Sequence, residues 1–231
     1  MSFLKNLFTK KEEPFSEGDI FYTMSNQQYQ LHKVLKADVE YGTYHVMIYA
    51  LLPQLPPKDQ QDSLQVLMHH APIAMSGFED PKLFAKSVLS HDDFLGYYEY
   101  LRQTQNFNEL VPIAKGYYRE AYRLTDLKQH EAAIDHYTWA IELIPDFYEA
   151  IDNRAFCYMD LGRWDKAMKD FKLSLSVHAD SFLAEFSIGE CLFKAGNFAL
   201  AIRQFEKAID LDPSQQIARD FLKKAIEAHR A

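Results

Sequence analysis

Residues 133–145 read AIDHYTWAIELIP, residues 167–179 read AMKDFKLSLSVHA, and residues 201–213 read AIRQFEKAIDLDP. The three stretches start 34 residues apart. In each, a small residue (Ala133, Ala167, Ala201) is followed four positions on by an aromatic one (Tyr137, Phe171, Phe205), and three further by another small one (Ala140, Ser174, Ala208). Spacings of three and four place all of these on one helical face. A small side chain there lets a second helix lie close, and the ring one turn later fills the space toward the next pair. Pro145 and Pro213 end the first and third stretches because proline has no N–H to donate, and Ala179 holds that slot in the second.

The same period governs the segments just upstream. Ala121, Ala155 and Gly189 are the matching small residues of a preceding helix, and Gly162 and Gly196 follow that helix, where a left-handed residue often ends it. A helical hairpin in three copies, from Ala114 to Gln215, resembles the tetratricopeptide repeat, whose antiparallel helix pairs stack into a right-handed superhelix. Unrelated amphipathic helices would show the 3.6-residue period without the 34-residue register. Gln216 to Arg230 carries Ile217, Phe221, Leu222 and Ile226 on one stripe and reads as the capping helix that such a stack requires.

Upstream of the repeats the period drops to two. GDIFYT (18–23), QYQLHKVLKA (28–37), TYHVMIYALL (43–52) and SLQVLMHH (63–70) are rich in aromatic and β-branched residues and predict strands, with a further strand over 83–89. Short turn-like connections at Ser25-Asn26-Gln27 and Glu40-Tyr41-Gly42 make the first three an antiparallel meander. Together they predict a small antiparallel sheet or partly open barrel. The Gly-Asp-Ile-Phe strand and Tyr-rich hairpin resemble the SH3-like barrels of bacterial binding and immunity proteins, a resemblance that implies a bacterial source and carries over no catalytic residue. Ser90 and Asp93 have capping-box spacing ahead of a stripe of Phe94, Leu95, Tyr97, Tyr98 and Leu101. The expected plan is therefore α+β: a tail over 1–16, a small β domain over 17–90, a linker helix over 91–107, and over 108–231 a repeat domain of three hairpins plus a capping helix.

With 231 residues, 48% of them hydrophobic and 25% charged, the chain is fit to bury a core. Its net charge of −8 is shared evenly: 9 basic and 13 acidic residues in 1–105, 16 and 20 in 106–231. Neither half has the basic excess of a nucleic-acid surface. No run approaches the roughly eighteen apolar residues of a membrane span. Phe3, Leu4, Leu7 and Phe8, flanked by Lys5, Lys10 and Lys11, form a stripe able to touch an anionic membrane. So short a stretch holds a helix poorly in water, which favours a frayed terminus. Cys157 and Cys191 lie 34 residues apart on equivalent helices, whose axes pack roughly 8–10 Å apart, too far for a disulfide. Reduced cysteines indicate a cytoplasmic protein.

Signatures of enzymatic chemistry were sought. The chain has no Gly-x-Ser-x-Gly elbow, no phosphate-binding loop, no Cys-x-x-Cys and no Gly-x-Gly-x-x-Gly. His69 and His70 are adjacent on a strand and point to opposite faces, so they cannot chelate one metal with His45 unless the strand bulges. Neither catalytic residues nor a metal or other cofactor is expected.

Function is then read from the groove. In the resembled repeats the first helix of each hairpin lines the concave surface, and helical phase places Lys115, Tyr118, Arg119, Tyr122, Glu149, Asp152, Asn153, Phe156, Leu183, Phe186, Ser187, Glu190 and Phe193 there. Tyr118, Tyr122, Phe156, Phe186 and Phe193 would hold a peptide by apolar contact, unless they pack against neighbouring hairpins. Some members of the resembled family clamp a chaperone's C-terminal carboxylate with five Lys, Arg and Asn groups. Asn153 alone survives here, with Tyr118, Tyr122, Leu183 and Ser187 in the other slots, which argues against that partner. The expected role is a non-enzymatic adaptor that binds a protein or peptide in the groove. The alternatives are a toxin-neutralising or regulatory protein that meets its partner through the β domain, and a small-ligand site or unrecognised reaction in that domain. Homodimerisation stays open.

Overall fold

The computed structural model describes residues 15–230. The membrane-contact reading of residues 3–11 lies outside the described residues. The chain divides into two compact units between Asn106 and Phe107.

The first unit holds a five-stranded antiparallel sheet: β1 (Asp19–Ser25), β2 (Gln28–Asp38), β3 (Thr43–Tyr49), β4 (Val66–Ala74) and β5 (Lys82–Lys86), in spatial order β4-β3-β2-β1-β5. Asn26 and Gln27 both take positive φ (51° and 61°) between β1 and β2, the backbone twist that a two-residue hairpin favours. The sheet is open, because a barrel would need β4 paired with β5 and these are instead the two edges. Pro72 within β4 fits an edge strand, where a missing N–H is tolerated.

Alternation along the strands gives the sheet two faces. Phe21, Val34, Tyr44 and Val46 are buried on one, with Phe15 stacked on Phe21 at 4.5 Å and Phe78 edge-on to it at 4.8 Å. Ile20, Lys33, His45, Met47 and Tyr49 alternate with them and occupy the other. Helix α1 (Leu95–Gln103) lies against β4. Gly96 permits this contact, since a Cβ there would come within 2.8 Å of the His69 backbone. The turn before α1 is held by the predicted capping box: Ser90 N–H donates to Asp93 Oδ2 at 2.8 Å, and Asp93 N–H to Ser90 Oγ at 3.4 Å.

The second unit is a run of antiparallel helices: α2 (Phe107–Asp126), α3 (His130–Leu143), α4 (Tyr148–Asp160), α5 (Trp164–Val177), α6 (Phe182–Lys194), α7 (Phe198–Leu211) and α8 (Gln216–Arg230). Ala133, Ala167 and Ala201 are fully buried, as are Tyr137, Phe171 and Phe205 and the small residues Ala140, Ser174 and Ala208. At Gly189 a Cβ would stand 2.5 Å from the Phe205 ring, so α6 and α7 meet closer than any alanine allows. Each apolar cluster is completed by the first helix of the next hairpin. Ala150 and Cys157 of α4 join the cluster of α2 and α3, Ala184 and Ile188 of α6 join that of α4 and α5, and Ala218 and Ala225 of α8 join that of α6 and α7.

The three first helices end alike. Gly162 N–H donates to Met159 O and Arg163 N–H to Tyr158 O; Gly196 and Asn197, and Lys128 and Gln129, repeat the pair with their own helices. This is the Schellman arrangement, and its left-handed residue is Gly162 (φ 70°), Gly196 (φ 77°) and, in the first hairpin, Lys128 (φ 59°). Arg154 of α4 makes a two-pronged pair with Asp170 of α5 (2.7 and 2.8 Å) and donates to Thr138 of α3 at 3.0 Å. Both charged groups are nearly buried, and each satisfies the other. Cys157 and Cys191 are buried free thiols, the latter pushed up to about 12 by burial. Among the described residues no helix is long and apolar enough to cross a membrane.

Two substitutions check these close contacts. Lys128→Gly relieves a side chain held at positive φ and is expected to add roughly 0.5–1 kcal/mol in urea unfolding. Gly189→Ala gains helix propensity of about 1 kcal/mol but drives a methyl into the fully buried Phe205. Overpacking costs about 1–3 kcal/mol, so a lower Tm is expected, and a raised one would show that the helices are free to part.

Candidate functional site

Helices α2, α4 and α6 carry the residues expected in the groove, and the structure divides them by accessibility. Lys115, Arg119, Tyr122, Glu149 and Leu183 are exposed, and Tyr118, Asn153, Phe156, Glu190 and Phe193 are half-buried. Asp152, Phe186 and Ser187 are buried. Phe156 packs edge-on to Phe171 at 5.2 Å. Phe186 sits among Phe182, Phe205 and Phe221, and Phe193 lies against Phe198 and Phe221. These three rings turn toward the hairpin cores, and full removal from water stabilises the buried Phe186 by about 1.5–3 kcal/mol, the half-buried Phe156 and Phe193 by less. Trp139, on α3, is half-buried against Tyr117 (5.3 Å) and His136 (4.6 Å) of its own hairpin.

Accessible aromatic surface gathers instead on the first hairpin. A cleft of about 470 Å³ opens there, lined by Val111, Pro112, Lys115, Tyr118, Arg119 and Phe147. Tyr118 is its hub, with its ring 5.0 Å from Phe147, 5.8 Å from Tyr137 and 6.5 Å from Tyr122. Asn153 Nδ2 donates to the Tyr118 hydroxyl at 3.0 Å and to the Glu149 carbonyl at 2.9 Å, so both amide hydrogens are engaged. Burial raises the Tyr118 pKa. Lys115 and Arg119 stand exposed one turn apart on α2 and give the rim two positive charges. Phe147, Val111 and Pro112 were missed by phase alone. Phe147 lies ahead of α4, and Pro112 sits inside a helix that the sequence starts later.

Deeper between the hairpins, Asp152 Oδ1 and Ser187 Oγ have no hydrogen-bond partner. Burial raises the Asp152 pKa. Among the described residues no three or more His, Cys, Asp or Glu side chains are grouped to hold a metal ion.

Comparison with known proteins agrees with this architecture. A family model described as tetratricopeptide repeat matches residues 183–215. The chain is 30% identical over 111 residues to the small glutamine-rich tetratricopeptide repeat-containing protein 2 of Mycosarcoma maydis, an alignment covering 48% of this chain and 30% of that protein. It is also 30% identical over 112 residues to the outer dynein arm-docking complex subunit 4 of Xenopus laevis, covering 48% of this chain and 21% of that protein. It therefore spans less than a third of either relative's length. The first tetratricopeptide-repeat domain of Spaghetti (RPAP3), solved with the HSP90 peptide SRMEEVD, superposes with a TM-score of 0.50 at 21% identity, covering 52% of this chain and 96% of that one. The helical unit has the tetratricopeptide-repeat fold.

Two histidines of the sheet, His70 and His32, are held below their ordinary pKa by burial. His70 Nε2 lies 2.9 Å from His45 Nδ1 with the rings stacked, and Tyr97 and Tyr100 of α1 cover them. His69 lines a different cleft. Burial, then the neighbouring His45, lowers the His70 pKa to about 4, and burial against Phe21 and Phe78 does the same to His32. Unfolding returns both toward about 6.5, so between pH 6.5 and 4 the unfolded chain binds more protons and stability falls as pH falls. The Tm of the β unit is expected to drop steadily from pH 7 to 4.5, and less steeply in His32→Leu. A flat profile would show that both rings are already charged or solvated.

Proposed function

We propose that the protein is an adaptor whose repeat groove binds an extended segment of another protein, anchored at the first hairpin. The observation that carries this reading is the cleft between α2 and the start of α4: an apolar floor of Val111, Pro112, Tyr118 and Phe147 under a rim of Lys115 and Arg119. Such a site takes one large apolar side chain and favours carboxylates beside it. The Spaghetti (RPAP3) domain was solved with the peptide SRMEEVD, which has three acidic residues among its last four. A clamp on a C-terminal carboxylate does not suit this groove, because the one retained clamp residue, Asn153, already spends both amide hydrogens within the protein. Charge on the rim and apolar contact on the floor would do the work instead. A buried pair of free thiols suits a reducing compartment, and we place the protein in the cytoplasm.

Panning a random peptide library over the full chain tests the proposal. Enriched peptides are expected to pair an aromatic or long aliphatic residue with Asp or Glu. By fluorescence polarisation, Lys115→Glu with Arg119→Glu should weaken them about tenfold or more, and Tyr118→Ala should do likewise with helicity retained. Phe156 and Phe186 are unsuited to this test because their loss would disturb the hairpin cores. Peptides indifferent to both variants would move the site away from the first hairpin.

A further inference from the structure

The connections of the β domain enclose a second cleft, of about 540 Å³. That volume lies within the range of roughly 300–1,000 Å³ typical of small-molecule sites. Its floor is the sheet face opposite the Phe21 cluster, and its walls come from the segment between β3 and β4 and the segment after β5. Met47, Val66 and Val88 supply apolar wall.

The charges in the cleft decide what it can hold. Lys33 Nζ is 2.9 Å from Asp93 Oδ1, and the two side chains are only 10% and 13% exposed. Asp93 Oδ2 accepts from both the backbone and the hydroxyl of Ser90. Lys33 and Asp93 therefore neutralise one another, and an anion entering the cleft would have to displace a carboxylate that two further contacts hold in place. Besides the His69, Tyr49 and Ser87 side chains, two further acceptors line it. Gln61 Oε1 is buried with no donor, which costs about 1–3 kcal/mol unless something supplies one. Asp92 adds an exposed carboxylate at the mouth, so the described Lys and Asp residues of the lining carry one negative charge in excess.

An unpaired buried acceptor, a surplus carboxylate and an apolar wall are complementary to a donor-rich cation with a short hydrocarbon body. We propose that the β-domain cleft binds an organic cation, a primary ammonium or guanidinium group on a short apolar chain. Gln61 Oε1 and the Asp92 carboxylate accept its N–H groups, and Met47, Val66 and Val88 cover its chain. The cation can arrive as a free amine or as the side chain of a lysine. Neither source involves the repeat groove, so the site stands whether or not the groove binds peptides.

Saturation-transfer NMR and calorimetry on the full-length protein at pH 7 test this with three probes of equal length: n-pentylamine, n-pentanol and n-pentanoate. Pentylamine is expected to bind saturably, pentanol weakly and pentanoate not at all. Asp92→Asn, on an exposed turn, should weaken pentylamine about tenfold, and Gln61→Leu should weaken it with unchanged circular dichroism. Binding of Nα-acetyl-lysine N-methylamide as tight as that of pentylamine assigns the site to lysine side chains, and failure of that probe alone assigns it to free amines. Pentanoate binding as well as pentylamine, no saturable binding of any probe, or a folded Asp92→Asn that keeps full pentylamine affinity would each overturn the proposal.

Discussion

Everything in the helical unit depends on how closely paired helices are allowed to approach. Side chains at Ala121, Ala133, Ala155, Ala167, Gly189 and Ala201 are small, and the rings of Tyr137, Phe171 and Phe205 fill the space thus left without any exposure to solvent. Each of these buried rings removes a large apolar area from water. That burial can be realised only where the opposing backbone carries almost nothing, as the contact of Gly189 with Phe205 shows. The groove inherits its character from the same rule. Rings that face a neighbouring hairpin are drawn inward, while Tyr118 and Phe147, where the stack begins, stay half open beside the exposed Tyr122.

This constraint is also what made the fold legible. A small residue, a ring four positions later and a second small residue recur with the hairpin because packing leaves those slots no choice, and the left-handed glycines mark helix ends for an equally local reason. Lys128 escaped notice since its conformation is imposed by the Schellman hydrogen bonds and not by its own preference. Strand alternation likewise located the sheet, but openness could not be read from it: whether β4 and β5 meet is settled by pairing between distant segments, and a period of two is silent on that. β4 continues through Pro72 to Ala74, where a proline ordinarily argues against a strand.

The candidate sites were the least legible. Helical phase tells which way a side chain leaves its helix but not what meets it there, and Phe156, Phe186 and Phe193 are met by rings of neighbouring elements. Residues contributed by connections, such as Phe147 and Gln61, have no period at all. Gly96 belongs with them: its role is the nearness of the His69 backbone, a fact about two segments and visible in neither.

Because Ala150 and Cys157 close the first hairpin's core, Ala184 and Ile188 the second's, and Ala218 and Ala225 the third's, no hairpin is finished by its own residues. A chain emerging from the ribosome N-terminus first would leave each core ajar until one more helix had cleared the exit tunnel. Arg154 extends the waiting, since Asp170 must follow it out before its charge is answered. The repeats would thus be made in one direction, each latched by its successor. The outer face of α8 carries Lys223, Lys224 and Glu227, all exposed to water.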